Sequence, residues 1–227
     1  MPNTFLGMIK YMIKIACISD THNRHDKIDI PDCDMILCAG DVTVRGDYHE
    51  VKEFFRWFDA LDVEHKVMIC GNHDYLFQTH PEEAGWLLAE FPSIHYLQDS
   101  SVELAGLKIY GSPWQPWFHS WAFNLPIDDR LLGYQRAKEV WNKIPDDTDI
   151  LITHGPPYKI LDKVDRGELV GCPILLDRIA QVNPKLHVFG HIHEQAGKVK
   201  IGSTTYVNAS ICTLQYIPSN PVHVIEL

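Results

Sequence analysis

Five short blocks bearing histidine and aspartate punctuate the chain: Asp20-Thr-His22, Gly40-Asp41, Gly71-Asn72-His73-Asp74, Thr153-His154-Gly155 and Gly190-His191-Ile-His193. Imidazole, carboxylate and amide groups together suit Mn, Fe, Zn or Ni better than the all-oxygen shell that Mg prefers. Hydrolysis assisted by two metals needs an anionic ligand shared by ions roughly 3.5–4 Å apart, with neutral groups completing each shell. Asp41 is the expected bridge. Glycines sit beside the ligands (Gly40, Gly71, Gly155, Gly190), where a turn packed against metal and substrate leaves little room for a Cβ. A lone block of this kind is usually a turn aspartate or a core histidine. Five in order point instead to a dinuclear phosphoester-hydrolysing site.

The elements that must position these blocks are visible as apolar runs directly before each one: Ile13–Ser19, Met35–Ala39, Lys66–Cys70, Asp149–Ile152 and Leu186–Phe189. Each run reads as a buried strand, so each block falls at a strand end, where open α/β sheets bind ligands. Helical spacing of Val51, Phe54, Phe55, Phe58 and Leu61 predicts a helix over Asp47–Leu61. A proline-opened helix is predicted over Pro81–Glu90, a third over Asp128–Lys143 with Asp128 and Asp129 as cap candidates, and a fourth over Pro173–Val182. Further strands are expected at Ile94–Leu97, Ser101–Leu104 and Lys108–Gly111. The tail from Lys198 onward predicts antiparallel strands at Thr204–Asn208, Thr213–Ile217 and Val222–Glu226.

The ordered blocks resemble the calcineurin-like metallophosphoesterase superfamily, whose pattern is D-x-H, G-D, G-N-H-[DE], H and G-H-x-H. Longer segments, Gly111-Ser-Pro-Trp-Gln-Pro-Trp-Phe118, Asp149 to Pro157, Val170-Gly-Cys172, Pro184 to Glu194 and Tyr206 to Ser210, are similar to the animal metallophosphoesterase-domain proteins and the class III cyclic-nucleotide phosphodiesterases. The resemblance implies an αββα sandwich: two mixed β-sheets flanked by helices. It places Asp20, His22, Asp41 and His193 on a first divalent ion, with Mn foremost, and Asp41, Asn72, His154 and His191 on a second. His73 would face the phosphoryl group and leaving oxygen while a metal-bridging hydroxide attacks phosphorus in line. The implied activity is hydrolysis of small phosphodiesters such as cyclic nucleotides. A phosphomonoesterase or protein phosphatase is one alternative, and a weakly active nucleotide-binding scaffold is another. Val44 stands where Ser/Thr protein phosphatases carry a second aspartate, against the former; the intact His191 speaks for turnover.

Around the ligands, Asp74 either orients the His73 imidazole or caps the following turn, and we count it with His73 among the expected catalytic groups. Asn72, His73, Trp114 and His119 are the expected substrate contacts. The other aromatics of the proline-braced segment Ser112–Asn124 read as packing. Arg45 reads as a solvated loop residue, His187 as a satisfied core histidine, Cys172 as buried, and Asn208 as a backbone-fixing residue near the site.

With 227 residues the chain fits one domain, 13–227, preceded by an N-terminal extension, 1–12. A formal charge of −10 argues against non-specific nucleic-acid binding, since no basic stripe is available to neutralise a phosphate backbone. The six cysteines are scattered, without a C-x-x-C pair, and read as reduced. No signal peptide or membrane span is evident, so the expectation is a cytoplasmic enzyme.

Overall fold

The computed structural model describes residues 12–125 and 132–227. The first half of the chain runs β1 (Lys14–Ile18), β2 (Met35–Cys38), α1 (Tyr48–Asp59), β3 (His65–Met68), α2 (Leu76–Thr79), α3 (Pro81–Ala89), β4 (Ile94–Tyr96), β5 (Ser100–Leu104) and β6 (Leu107–Ser112). Next come β7 (Gln115–Pro116), β8 (Asn124–Leu125), α4 (Leu132–Trp141), β9 (Ile150–Thr153), α5 (Pro173–Val182) and β10 (Leu186–Phe189). The tail adds β11 (Gly197–Ile201), β12 (Thr204–Asn208) and β13 (His223–Glu226).

Two mixed sheets result. One has the order β13-β1-β2-β3-β4, parallel apart from β13; the other has the order β11-β12-β10-β9-β6-β5, parallel in the middle and antiparallel at both edges. The two-residue alternation of side chains then generates three apolar layers. Ile15, Cys17, Met35, Leu37 and Val67 of the first sheet meet Ile109, Ile150, Ile152, Leu186, Val188 and Val207 of the second. The opposite faces pack on helices: Ala16, Ile18, Ile36 and Met68 against α1 and α3, and Leu151, Phe189 and Tyr206 against α4 and α5. This is the expected αββα sandwich.

The helices begin where local chemistry dictates. The Asp47 carboxylate accepts from the amides of His49 at 2.9 Å and Glu50 at 3.0 Å, capping α1. Val51, Phe54, Phe55 and Phe58 then bury one face, each phenyl contributing about 1.5–3 kcal/mol over exposure. Prolines open α3 and α5 at positions that need no amide donor.

Thr213–Ile217 is a turn rather than the expected strand. Tyr216 adopts φ 56°, its amide bonds the Thr213 carbonyl at 2.9 Å, and the Thr213 amide bonds Ile217 at 2.9 Å. Alternating polarity over five residues cannot distinguish a strand from a folded-back turn, and the left-handed residue reverses the chain. Conversely, β11 lies ahead of the predicted tail strands; its solvated lysines, Lys198 and Lys200, hide the pattern of an edge strand. The observed α4 lies inside the predicted third helix, whose cap candidates Asp128 and Asp129 fall outside the described residues.

Candidate metal centre

Every block follows its strand onto one edge of the sandwich. Asp20 and His22 leave β1, Asp41 leaves β2, and Asn72 and His73 follow β3; His154, His191 and His193 follow β9 and β10 of the other sheet. The site is thus built across the seam between the sheets. Asp20, His22 and His193 converge with ligand atoms within 4.8 Å of one another, as do Asp41, His154 and His191, and a third grouping joins His22, Asp41 and His73. Asp41 and His22 each take part in two of the groupings, and Asp41 Oδ2 lies 3.9 Å from His22 Nε2 and 3.3 Å from His154 Nε2, within reach of both sets. Asn72 Oδ1 lies 3.0 Å from His154 Nε2, which is 3.3 Å from Asp41 Oδ2.

The histidines are oriented by backbone. Nδ1 of His22 donates to the Thr43 carbonyl at 3.0 Å, that of His154 to Ala39 at 2.9 Å, that of His193 to Thr213 at 3.0 Å and that of His73 to Val44 at 2.7 Å. For His22, His154 and His193, the proposed ligands among them, the bond leaves Nε2 to face the cluster and accept a metal once deprotonated. His22 Nε2 and His193 Nε2 stand 3.3 Å apart, near enough to share one cation when both are neutral. The donor set therefore fits two divalent ions.

Charge compensation in the metal-free protein makes the same point. Burial pushes the Asp20 and Asp41 carboxyls up, yet neighbouring histidines, His193 for Asp20 and His154 for Asp41, outweigh it and hold both below the usual carboxylate range. Burial opposes charge on His154, but the Asp41 carboxylate wins and raises this imidazole to about 9. His193 is raised in the same way by Asp20, against burial. Burial lowers His22 to about 4 and His191 to about 3. Protons thus supply the positive charge that metal would bring, and metal uptake must release them.

Backbone strain concentrates here. Asp20, His22, Asp41 and His191 all have positive φ, between 41° and 68°, a region non-glycine residues seldom occupy and one that clusters at functional sites. Gly190 has no such φ; a Cβ there would fall on Asp20 Oδ2 and Ser19 Oγ, so the second sheet approaches Asp20 only because position 190 is bare.

The expected site residues have different surroundings. Asp74 accepts from the amides of Gly71 at 2.8 Å and Thr43 at 3.1 Å and from the Thr43 hydroxyl at 2.7 Å. It staples the loop after β3 to the loop after β2, while the His73 ring is held by Val44, so its contacts match neither expected role, orienting His73 or capping the turn that follows. Trp114 bonds Asp99 through Nε1 at 3.2 Å and packs on Phe123. His119 is exposed, with its ring against Phe118. Neither lines the cavity of about 380 Å³ that opens over the metal centre; Trp117, Phe118, Arg166, Leu214 and Tyr216 do, together with Asn72 and His73.

Arg45 is exposed and Cys172 buried, as expected. Asn208 fixes backbone, donating to the Ile192 carbonyl at 2.8 Å. Ser210, not anticipated, donates to Asp20 Oδ2 at 2.9 Å. Its only sequence signal was its place in the shared Tyr206–Ser210 segment.

An αββα sandwich with paired histidine and aspartate clusters at its strand ends defines a metallophosphoesterase. The Calcineurin-like phosphoesterase family model matches residues 13–195, and the chain belongs to that family. It is 45% identical to metallophosphoesterase domain-containing protein 1 of Homo sapiens, the match covering 94% of this chain and 71% of that one. It is 27% identical to the probable glycerophosphodiester phosphodiesterase GpdQ of Arcobacter nitrofigilis, over 92% of this chain and 79% of the relative. The solved phosphopantetheinyl hydrolase (PptH) of Mycobacterium tuberculosis superposes with a TM-score of 0.64 at 14% identity, over 93% and 95% of the two chains, a likeness of fold. Among the described residues no helix is long and apolar enough to cross a membrane.

Proposed function

We propose that the protein is a metal-dependent phosphodiesterase acting on small phosphodiesters, cyclic nucleotides among them, with two Mn²⁺ ions in the cytoplasm. The make-up of the cavity wall carries the diester reading. Among the described residues Arg166 is the one Lys or Arg lining the cavity, and its guanidinium is 2.9 Å from Glu168. A monoester brings an additional charged oxygen that calls for cationic partners. A diester brings a second organic group that calls for room, which Trp117, Phe118, Val164, Val170 and Leu214 frame. The relative named as a glycerophosphodiester phosphodiesterase supports the same reading. The six cysteines are all free, in keeping with a reducing compartment.

Asp20, His22, Asp41 and His193 would hold one ion, and Asp41, Asn72, His154 and His191 the other. Bound there, the metals supply Lewis-acid activation of the phosphoryl group and of the attacking water. His73 contributes Nε2, because Nδ1 is committed to Val44; carrying a proton there, it delivers it to the departing oxygen. Trp121, with ring centroid 4.0 Å from that of His73, keeps the imidazole in place. The test compares kcat/KM for bis(4-nitrophenyl) phosphate and 4-nitrophenyl phosphate in Mn²⁺. The diester is expected to be the better substrate, and a clear monoester preference would make the enzyme a phosphatase.

A further inference from the structure

Two of the site histidines pack against aromatic rings that line the cavity. Tyr216 packs on His22 with centroids 4.5 Å apart, and Phe118 meets His191 edge-on at 5.4 Å. Trp117, next to Phe118 in the chain, and Leu214, two residues before Tyr216, line the cavity as well. Trp117, Phe118 and Leu214 are 56%, 45% and 49% exposed, so this apolar surface is left open to solvent at the mouth of the site.

Tyr216 is held there at a cost. A left-handed φ of 56° is strained for a bulky side chain. The turn that imposes it is pinned by the Cys212–Pro218 bridge and by the paired bonds between residues 213, 216 and 217. The same turn offers the Thr213 carbonyl to His193 Nδ1. One short segment therefore orients a metal-centre histidine and erects a wall of the cavity.

We propose that Tyr216 and Leu214, with Trp117 and Phe118, form a subsite for a flat aromatic group carried by the alcohol that the ester retains. The inference rests on the diesterase reading and deepens it. A cavity of about 380 Å³ is at the small end of the ~300–1,000 Å³ typical of small-molecule sites, which suits one ring beside the phosphoryl group. Rings in its lining offer stacking and edge contacts that an alkyl group cannot return.

Two measurements test it on the Mn²⁺-loaded protein. Calorimetry compares phenylphosphonate with methylphosphonate, neither of which turns over. Kinetics compares phenyl 4-nitrophenyl phosphate with methyl 4-nitrophenyl phosphate, which share a leaving group. The wild-type protein should bind the phenyl ligand about tenfold more tightly, the size of one stacking contact. Trp117→Ala and Tyr216→Asn should remove most of that ratio, asparagine being chosen because it tolerates the left-handed turn. Tyr216→Phe should preserve it, and the KM ratio of the two diesters should follow. Equal phosphonate affinities in the wild type, or variants that weaken both ligands alike, would overturn the subsite. Turnover of both diesters without a phenyl preference would remove the subsite and leave the diesterase. A phenyl preference in binding with neither diester hydrolysed would do the reverse.

Discussion

His73 illustrates how the role of one side chain depends on which of its atoms is already engaged. Its Nδ1 bonds the Val44 carbonyl and its amide donates to Asp41 Oδ1 at 2.7 Å, so ring and backbone are both fixed against the metal centre. Its ring also falls within a grouping with His22 and Asp41 that could itself hold a cation. In the proposed assignment both metals have ligand sets without it. His73→Ala is therefore expected to retain two metals per chain while turnover falls roughly 10²–10⁴-fold, the usual contribution of a positioned acid. Metal content by mass spectrometry, measured beside kcat, decides the matter. Loss of one metal equivalent would reassign His73 as a ligand.

Among the elements, β10 carries a polar residue where its neighbours are apolar. His187 is fully buried between Phe189 and Tyr206. The Thr153 hydroxyl donates to the Gly155 carbonyl and so accepts from His187 Nε2 at 2.8 Å, while His187 Nδ1 has no partner. The expected satisfied core histidine is thus half satisfied. Burial depresses its pKa from 6.5 to about 3. Between these values the unfolded chain binds a proton that the folded chain refuses, so stability rises with pH across the window and levels off above about 6.5. His187→Phe removes this dependence. From pH 7 to pH 5 the wild type should lose about 2 kcal/mol relative to the variant. Urea unfolding of both proteins at the two pH values gives the difference, and an unchanged gap would mean that the folded protein protonates His187 readily.

At the scale of the whole molecule, the proposed metal centre would act as a clasp. Asp20, His22, Asp41 and Asn72 come from the loops of one sheet, and His154, His191 and His193 from those of the other. Ions bound between them oppose separation of the sheets, and any ligand that binds only the folded state stabilises it by mass action. Free metal at about 100 times its dissociation constant adds about 2.7 kcal/mol, which for a chain of this size is roughly 5–10 °C. Dialysis against a chelator should lower Tm by that amount, and restored Mn²⁺ should recover it. A Tm indifferent to both would show that the ligands do not bridge the sheets through metal.

Much of this was legible in the chain alone, because strand ends and ligand blocks are neighbours in sequence. An apolar run followed at once by Gly-Asp or Gly-His-x-His says where the strand stops and which groups it presents, and β2 and β10 carry Asp41 and His191 to the expected edge. Helix α1 was readable for the same reason: the Asp47 cap and the phenylalanine spacing are local. What depends on distant contacts was not readable. Asp74 is committed to Thr43 across two loops, Ser210 reaches Asp20 across the seam, and Trp114 is drawn to Asp99. Tyr216 enters the cavity only because a turn folds back beneath His193. The sequence determined the candidate ligands and the strands that carry them, since both are encoded within a few residues. The packing of one sheet on the other alone decided which side chains wall the cavity, since those residues come from segments about a hundred positions apart.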